Sequence, residues 1–184
     1  APATPTPTAM PVHVAAQSDD RPTAGDAVIL GEVVNDSPQG VEEVTVQVDL
    51  LDGQGRPLTT TVTMAMADIV PAGGRVPFAV VVTGAPSYAQ VVSRVIRALP
   101  EVPARLTHRG LHVAEASGRA IYDRTFVVMG KVRNTGQDDA LDAFVVVTLY
   151  GSDDRVIGAA RQALECPIPP GDRVIFEMSL VPIR

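Results

Sequence analysis

The sequence predicts an all-β protein of two tandem immunoglobulin-like antiparallel β-sandwiches, and three observations predict it. Valine-rich segments alternate apolar and polar residues with a period of two, the mark of a strand with one buried face. Clusters of Gly, Pro, Asn and Asp separate these segments at short intervals, as the turns of a sandwich do. The whole pattern then occurs twice, at a fixed offset of 99 residues. Composition agrees: aromatic residues make up 4% of the 184, so the core must come from aliphatic side chains, many of them β-branched.

The repeat is the strongest of the three. His13-Val14-Ala15 recurs as His112-Val113-Ala114, Gly31-Glu-Val-Val-Asn35 as Gly130-Lys-Val-Arg-Asn134, and Val46-Gln-Val-Asp-Leu50 as Val145-Val-Val-Thr-Leu149. Over Val12–Leu58 there are 12 identities in 47 ungapped positions. Arg75-Val76-Pro77-Phe78 matches Arg173-Val174-Ile175-Phe176 after one deletion. The implied organisation is a spacer at 1–11, a first sandwich at 12–99, a linker at 100–110 and a second sandwich at 111–184.

Residues 1–11 hold four prolines and three threonines, too poor in packable or ladder-forming residues to be anything but an extended spacer. Such a tract suits a tether behind a cleaved signal or an upstream anchor, so an exported protein of the cell envelope or extracellular space is expected. Val12–Ala16 and Leu111–Glu115 open the two units. The next strands put Ala27, Ile29, Gly31 and Val33 on one face, matched by Phe126, Val128, Gly130 and Val132. Gly31 and Gly130 stand mid-strand, where glycine weakens a strand unless another group must come close. Asn35 and Asn134, the only two asparagines, end these strands and enter polar turns. Asparagine there can bond the turning backbone and tolerate a left-handed conformation. Asn35-Asp36-Ser37 is a glycosylation triplet by pattern, but its twin is not.

The third strands place Val44, Val46, Val48 and Leu50 inward, matched by Ala143, Val145, Val147 and Leu149. Tight turns at 52–55 and 151–154 lead into strands at Leu58–Met66 and Val156–Leu164. After corners at Pro71 and Pro170 come Phe78, Val80 and Val82, matched by Phe176, Met178 and Leu180. Ser87–Leu99 fits either a helical face or a strand; a β-branched strand closing the first sandwich is preferred. The second unit contains no counterpart of Ser87–Leu99. It has either a smaller, protected sandwich or an open edge, a template for strand addition.

A strand ending Gly-x-Val-x-Asn, an alternating Val strand, a tight turn and a Pro-Gly corner before a Phe strand resembles the FxLYD family of bacterial and archaeal envelope domains. The second unit carries it best, with Val147-Thr148-Leu149-Tyr150, Asp154-Arg155-Val156-Ile157-Gly158, Pro170-Gly171 and Phe176. The first departs, with Leu51 in place of the Tyr and Ala72 after Pro71. CARDB-type adhesion-like modules are similar. Both resemblances imply an immunoglobulin-like sandwich and no catalytic set.

Charge and chemistry narrow the function. A net charge of −6 opposes binding to nucleic acid or anionic membrane surfaces. No stretch is long and apolar enough to span a membrane. A single Cys, Cys166, supports neither an internal disulfide framework nor a cysteine zinc site, and no Gly-x-Ser-x-Gly or other nucleophile–base pattern is present. No enzyme, cofactor or metal is therefore expected. The outward face of the second unit is more apolar than that of the first: Thr45 becomes Phe144, Gln47 becomes Val146 and Leu51 becomes Tyr150. With Val127 and Met129 on the neighbouring strand these form a candidate protein-binding patch, for another protein or for self-association. Cover from the linker, the spacer or the first unit is the alternative. The rival function is a ligand- or metal-binding sandwich, with calcium at acidic turns (Asp49 with Asp52, Asp138-Asp139 with Asp142, Asp153-Asp154) or zinc at His13, His108 or His112.

Overall fold

The computed structural model describes residues 11–21, 25–102 and 110–183. The expected linker and spacer thus lie mostly outside the described residues, as does His108. The described chain is all-β, with every strand pair antiparallel.

In the first half, β1 (Val12–Asp20), β2 (Ala27–Asn35) and β6 (Arg75–Val82) form one sheet in the order β1-β2-β6. The opposing sheet is built on β3 (Val41–Leu51), which carries β4 (Pro57–Met64) and the short β5 (Ile69–Val70) on one side and β7 (Gln90–Pro100) on the other. The segment 87–99 is therefore a strand from Gln90 onward, as preferred, and not a helix. Its alternate residues Val91 and Val95 pack on the same cluster as Ile29, Val33, Val46, Val48, Leu50 and Phe78.

The second half repeats this pattern. β8 (Leu111–Ala120), β9 (Phe126–Asn134) and β12 (Arg173–Leu180) form a sheet in the order β12-β9-β8, and β10 (Phe144–Tyr150) pairs with β11 (Val156–Ala163). A second, separate cluster around Val132, Val145, Ile168, Phe176 and Leu180 lies between them. The correspondence reaches small details. The β1–β2 ladder slips between Ala15 and Ser18, and the β8–β9 ladder between Ala114 and Ser117. Both bulges hold a left-handed non-glycine residue, Ala16 and Glu115. A single 3₁₀ turn at Tyr122–Arg124 joins β8 to β9.

The mid-strand glycines are explained by what crosses them. Gly31 is paired with Phe78 and Gly130 with Phe176. A Cβ on Gly31 would meet the Phe78 ring at 2.7 Å, and one on Gly130 would meet the Phe176 ring at 2.8 Å. Each ring lies across the glycine opposite it, in space that a side chain there would fill.

The asparagines act through their side chains. Both are fully buried. The Asn35 amide donates to the carbonyls of Gln39, Val70 and Pro71 at 2.9, 3.0 and 3.1 Å, and its Oδ1 accepts from the Ser37 N–H at 3.0 Å. Asn134 donates to Asp138 and Ile168, both at 2.8 Å, and accepts from the Gly136 N–H at 2.8 Å. Each thus ties its own turn to the segment before the Pro corner. The expected left-handed backbone at these asparagines is not used; the left-handed non-glycine residues lie elsewhere. With its amide donating three bonds inside the protein, Asn35 is also withdrawn from glycosylation.

One feature of β2 departs from the alternating expectation. Both of its faces are buried: Leu30 and Glu32, pointing away from the first cluster, are 3% and 1% exposed. β11 packs across this outer face of the β1-β2-β6 sheet, so the two halves meet strand-on-sheet.

Candidate functional site

The five residues expected to form one partner-binding patch are divided by the topology. Val127 and Met129 are on β9, while Phe144, Val146 and Tyr150 are on β10, and these strands belong to different sheets. The neighbouring-strand premise is thereby corrected: β9 pairs with β8 and β12, and β10 with β11. Val127 is also buried.

The β10 residues face the first half of the chain. The Tyr150 hydroxyl donates to the Glu32 carboxylate, and the Arg75 guanidinium lies 3.7 Å from the other carboxylate oxygen. The Arg161 guanidinium sits 3.5 Å above the centre of the Phe144 ring and reaches Asp68 at 3.6 Å. The Ser18 hydroxyl donates to the Val156 carbonyl. Tyr150 and Phe144 are thus engaged at the junction between the halves, and only part of this face stays open.

Burial, the hydrogen bond to Glu32 and that carboxylate's charge push the Tyr150 phenol up to about 12. Only the neutral phenol donates, so this contact is complete below the ordinary tyrosine value of about 10. It is lost as pH rises through about 12. Titration followed by phenolate absorbance is expected to show one tyrosine ionising near 12, and that step is expected to vanish in Tyr150→Phe. A wild-type curve identical to that of Tyr150→Phe plus one tyrosine of ordinary pKa would contradict the contact.

Asp49, another buried carboxylate, is equally engaged. Asp49 accepts from the Thr60 hydroxyl at 2.7 Å and from the Gln47 amide at 2.9 Å, and pairs with Arg94 at 3.0 Å. Burial alone would raise its pKa, but these three partners outweigh burial and leave it below the usual carboxylate range. Asp52, the other half of one acidic pair, caps the β3–β4 turn by accepting from the Gln54 and Arg56 N–H groups at 2.8 and 2.9 Å. Asp153 likewise accepts from the Arg155 N–H at 3.3 Å.

His13 makes an exposed contact with Asp36 at 3.2 Å, and His112 lies on β8 opposite Arg133. Among the described residues no three His, Cys, Asp or Glu side chains converge in the way a metal site requires. Cys166 is half-buried, and its sulfur accepts from the Ala143 N–H at 3.3 Å.

What is left open is an edge. β3 is flanked on both sides, by β4 and β5 and by β7. β10, its equivalent 99 positions later, is flanked on one side by β11, and no described segment pairs with its other side. Val46, Val48 and Leu50 of β3 are completely buried. At the equivalent positions of β10, Val145 is buried but Val147 and Leu149 are only half-buried. The sequence pattern indicated the missing strand; the uncovered core beneath it needed the structure.

No protein-family model and no curated protein matches the chain.

Proposed function

We propose that the chain is a non-catalytic protein–protein interaction or structural module of the cell envelope or extracellular space, made of two immunoglobulin-like sandwich units of FxLYD type. The observation that carries this reading is the use made of polar chemistry. The buried side chains Asn35, Ser37, Asp49 and Asn134 all bond the chain's own turns and strands, and Glu32 bonds Tyr150 at the junction. The groups left facing outward are strand surfaces, including Val62, Met64 and Ile175, the last 72% exposed. Surfaces of this kind recognise other chains by shape and by main-chain pairing, without a reacting group. The Thr/Pro-rich composition of residues 1–11 supports an envelope or extracellular placement.

The test is fractionation of source cells after chemical cross-linking, with detection by an antibody against this chain. The chain is expected in the envelope or secreted fraction, in a cross-linked species larger than its own mass. Recovery in the cytoplasmic fraction without cross-linked partners would overturn the reading.

A further inference from the structure

We infer that the open edge of β10 is closed by β10 of a second copy of this chain, the two strands running antiparallel about a two-fold axis at Val147. The inference rests on the interaction-module reading above and gives that reading a partner.

The first half shows what such an edge requires. β7 pairs along β3 from Val41 to Leu51, and Val91 and Val95 complete the cluster beneath it. With no covering strand among the described residues, β10 leaves Val147 and Leu149 half-buried where Val48 and Leu50 are sealed. It also leaves a row of main-chain donors and acceptors facing outward. Edges are ordinarily protected by charge, proline, a bulge or shortness. Phe144–Tyr150 contains no charged residue, no proline and no glycine over seven residues. The one slip in its ladder lies at its end, between Leu149 and Tyr150.

Charge selects the occupant. β7 is held to β3 by Arg94 on Asp49 at 3.0 Å and by Arg97 on Glu43 at 2.6 Å. The position equivalent to Asp49 is Thr148, and the one equivalent to Glu43 is Asp142, which lies outside β10. An arginine-bearing strand like β7 would therefore place a guanidinium over Thr148 with no carboxylate to meet it. An uncharged strand with large apolar residues at alternate positions fits instead, and β10 is itself such a strand. In an antiparallel pair centred on Val147, Val145 stands opposite the second copy's Leu149, and Val147 opposite its own equivalent. Directly opposed residues point to the same side of a sheet, so core faces core across the axis. Phe144 then opposes Tyr150 and Val146 opposes Thr148 on the other side, and no like charges meet. The contact is isologous and closes on itself, which limits the assembly to a dimer.

Sedimentation equilibrium of the purified full chain across a wide concentration range is expected to show an average mass rising from 19.3 kDa toward twice that value. Thr148→Lys sets two ammonium groups diagonally across the strand pair, and is expected to weaken association about tenfold or more. Thr148→Val is expected to leave association intact. Amide exchange of the wild type, followed strand by strand, is expected to slow with concentration at alternate residues of β10 and not in β11. A mass constant at 19.3 kDa would overturn the inference. So would a dimer that forms with no change in β10 exchange, or protection in the dilute monomer of those β10 amides that do not bond β11. If Thr148→Lys does not fold, the wild-type exchange comparison decides alone. A monomer that still appears in cross-linked envelope complexes would refute self-pairing and leave the interaction-module reading standing.

Discussion

Asn35→Ala is expected to lower stability by about 3 kcal/mol or more, because it removes one side chain and leaves several buried main-chain groups without partners. The carbonyls of Gln39, Val70 and Pro71 and the N–H of Ser37 all lose a bond. Asn35 is fully buried, and its bonds to the Val70 carbonyl and from the Ser37 N–H lie inside the protein, where water cannot replace them. Asn134→Ala is expected to act in the same way, through Asp138, Ile168 and Gly136. Thermal midpoints should fall by roughly 10 °C. The aspartate variants discriminate the cause. Aspartate keeps the acceptor for the Ser37 or Gly136 N–H but turns the amide donor into a charged oxygen aimed at carbonyls. At neutral pH Asn35→Asp and Asn134→Asp should therefore be no better than the alanine variants. If aspartate restored most of the loss, the accepting bond alone would be the stabilising one, and the account of the donating amide would be wrong.

Gly31→Ala and Gly130→Ala are expected to destabilise by about 1–3 kcal/mol through overpacking, opposite to the usual gain when alanine replaces glycine at a tolerant site. The new methyl would lie 2.7 Å from the ring of Phe78 in one case and 2.8 Å from that of Phe176 in the other. Neither ring has room to retreat, since Phe78 is fully buried and Phe176 nearly so. Coupling tests the geometry. Phe78→Leu alone opens space and should destabilise, but Gly31→Ala added to Phe78→Leu should cost less than Gly31→Ala in the wild type. Additive losses measured by denaturant unfolding would show that the ring and the glycine are not in contact.

The legible part of this fold was the part written locally and written twice. Alternation placed the long strands, and the 99-residue offset identified Gly31 with Gly130 and Asn35 with Asn134 before any contact was known. Ser87–Leu99 was ambiguous because Val91, Val92, Val95, Ile96 and Leu99 fit a helical face while Tyr88, Val92 and Ile96 fit a strand; pairing with β3 decided for a strand, with Val91 and Val95 on the core and Ile96 exposed. β5 is two residues long and has no period to detect. Ala16 and Glu115 give no chemical sign of a left-handed backbone.

The candidate patch was misjoined for a different reason. Succession along the chain does not say which sheet a strand enters, and β9 and β10 enter different ones. Tyr150 was correctly marked as unlike Leu51, but its partner Glu32 lies 118 residues away. That pair exists only because β11 lies across β2. The open edge was half legible: the missing counterpart of Ser87–Leu99 was apparent in the sequence, while the half-buried Val147 and Leu149 were not.

Among the described residues the two halves are built alike except that β10 lacks the second neighbour β3 has. Residue-resolved amide exchange on the dilute chain measures this directly. The prediction is uniform protection along Val44–Leu50 and alternating protection along Phe144–Tyr150, with every second amide exchanging near the rate of an open loop. Uniform protection along both strands in the monomer would show that β10 has a second neighbour after all.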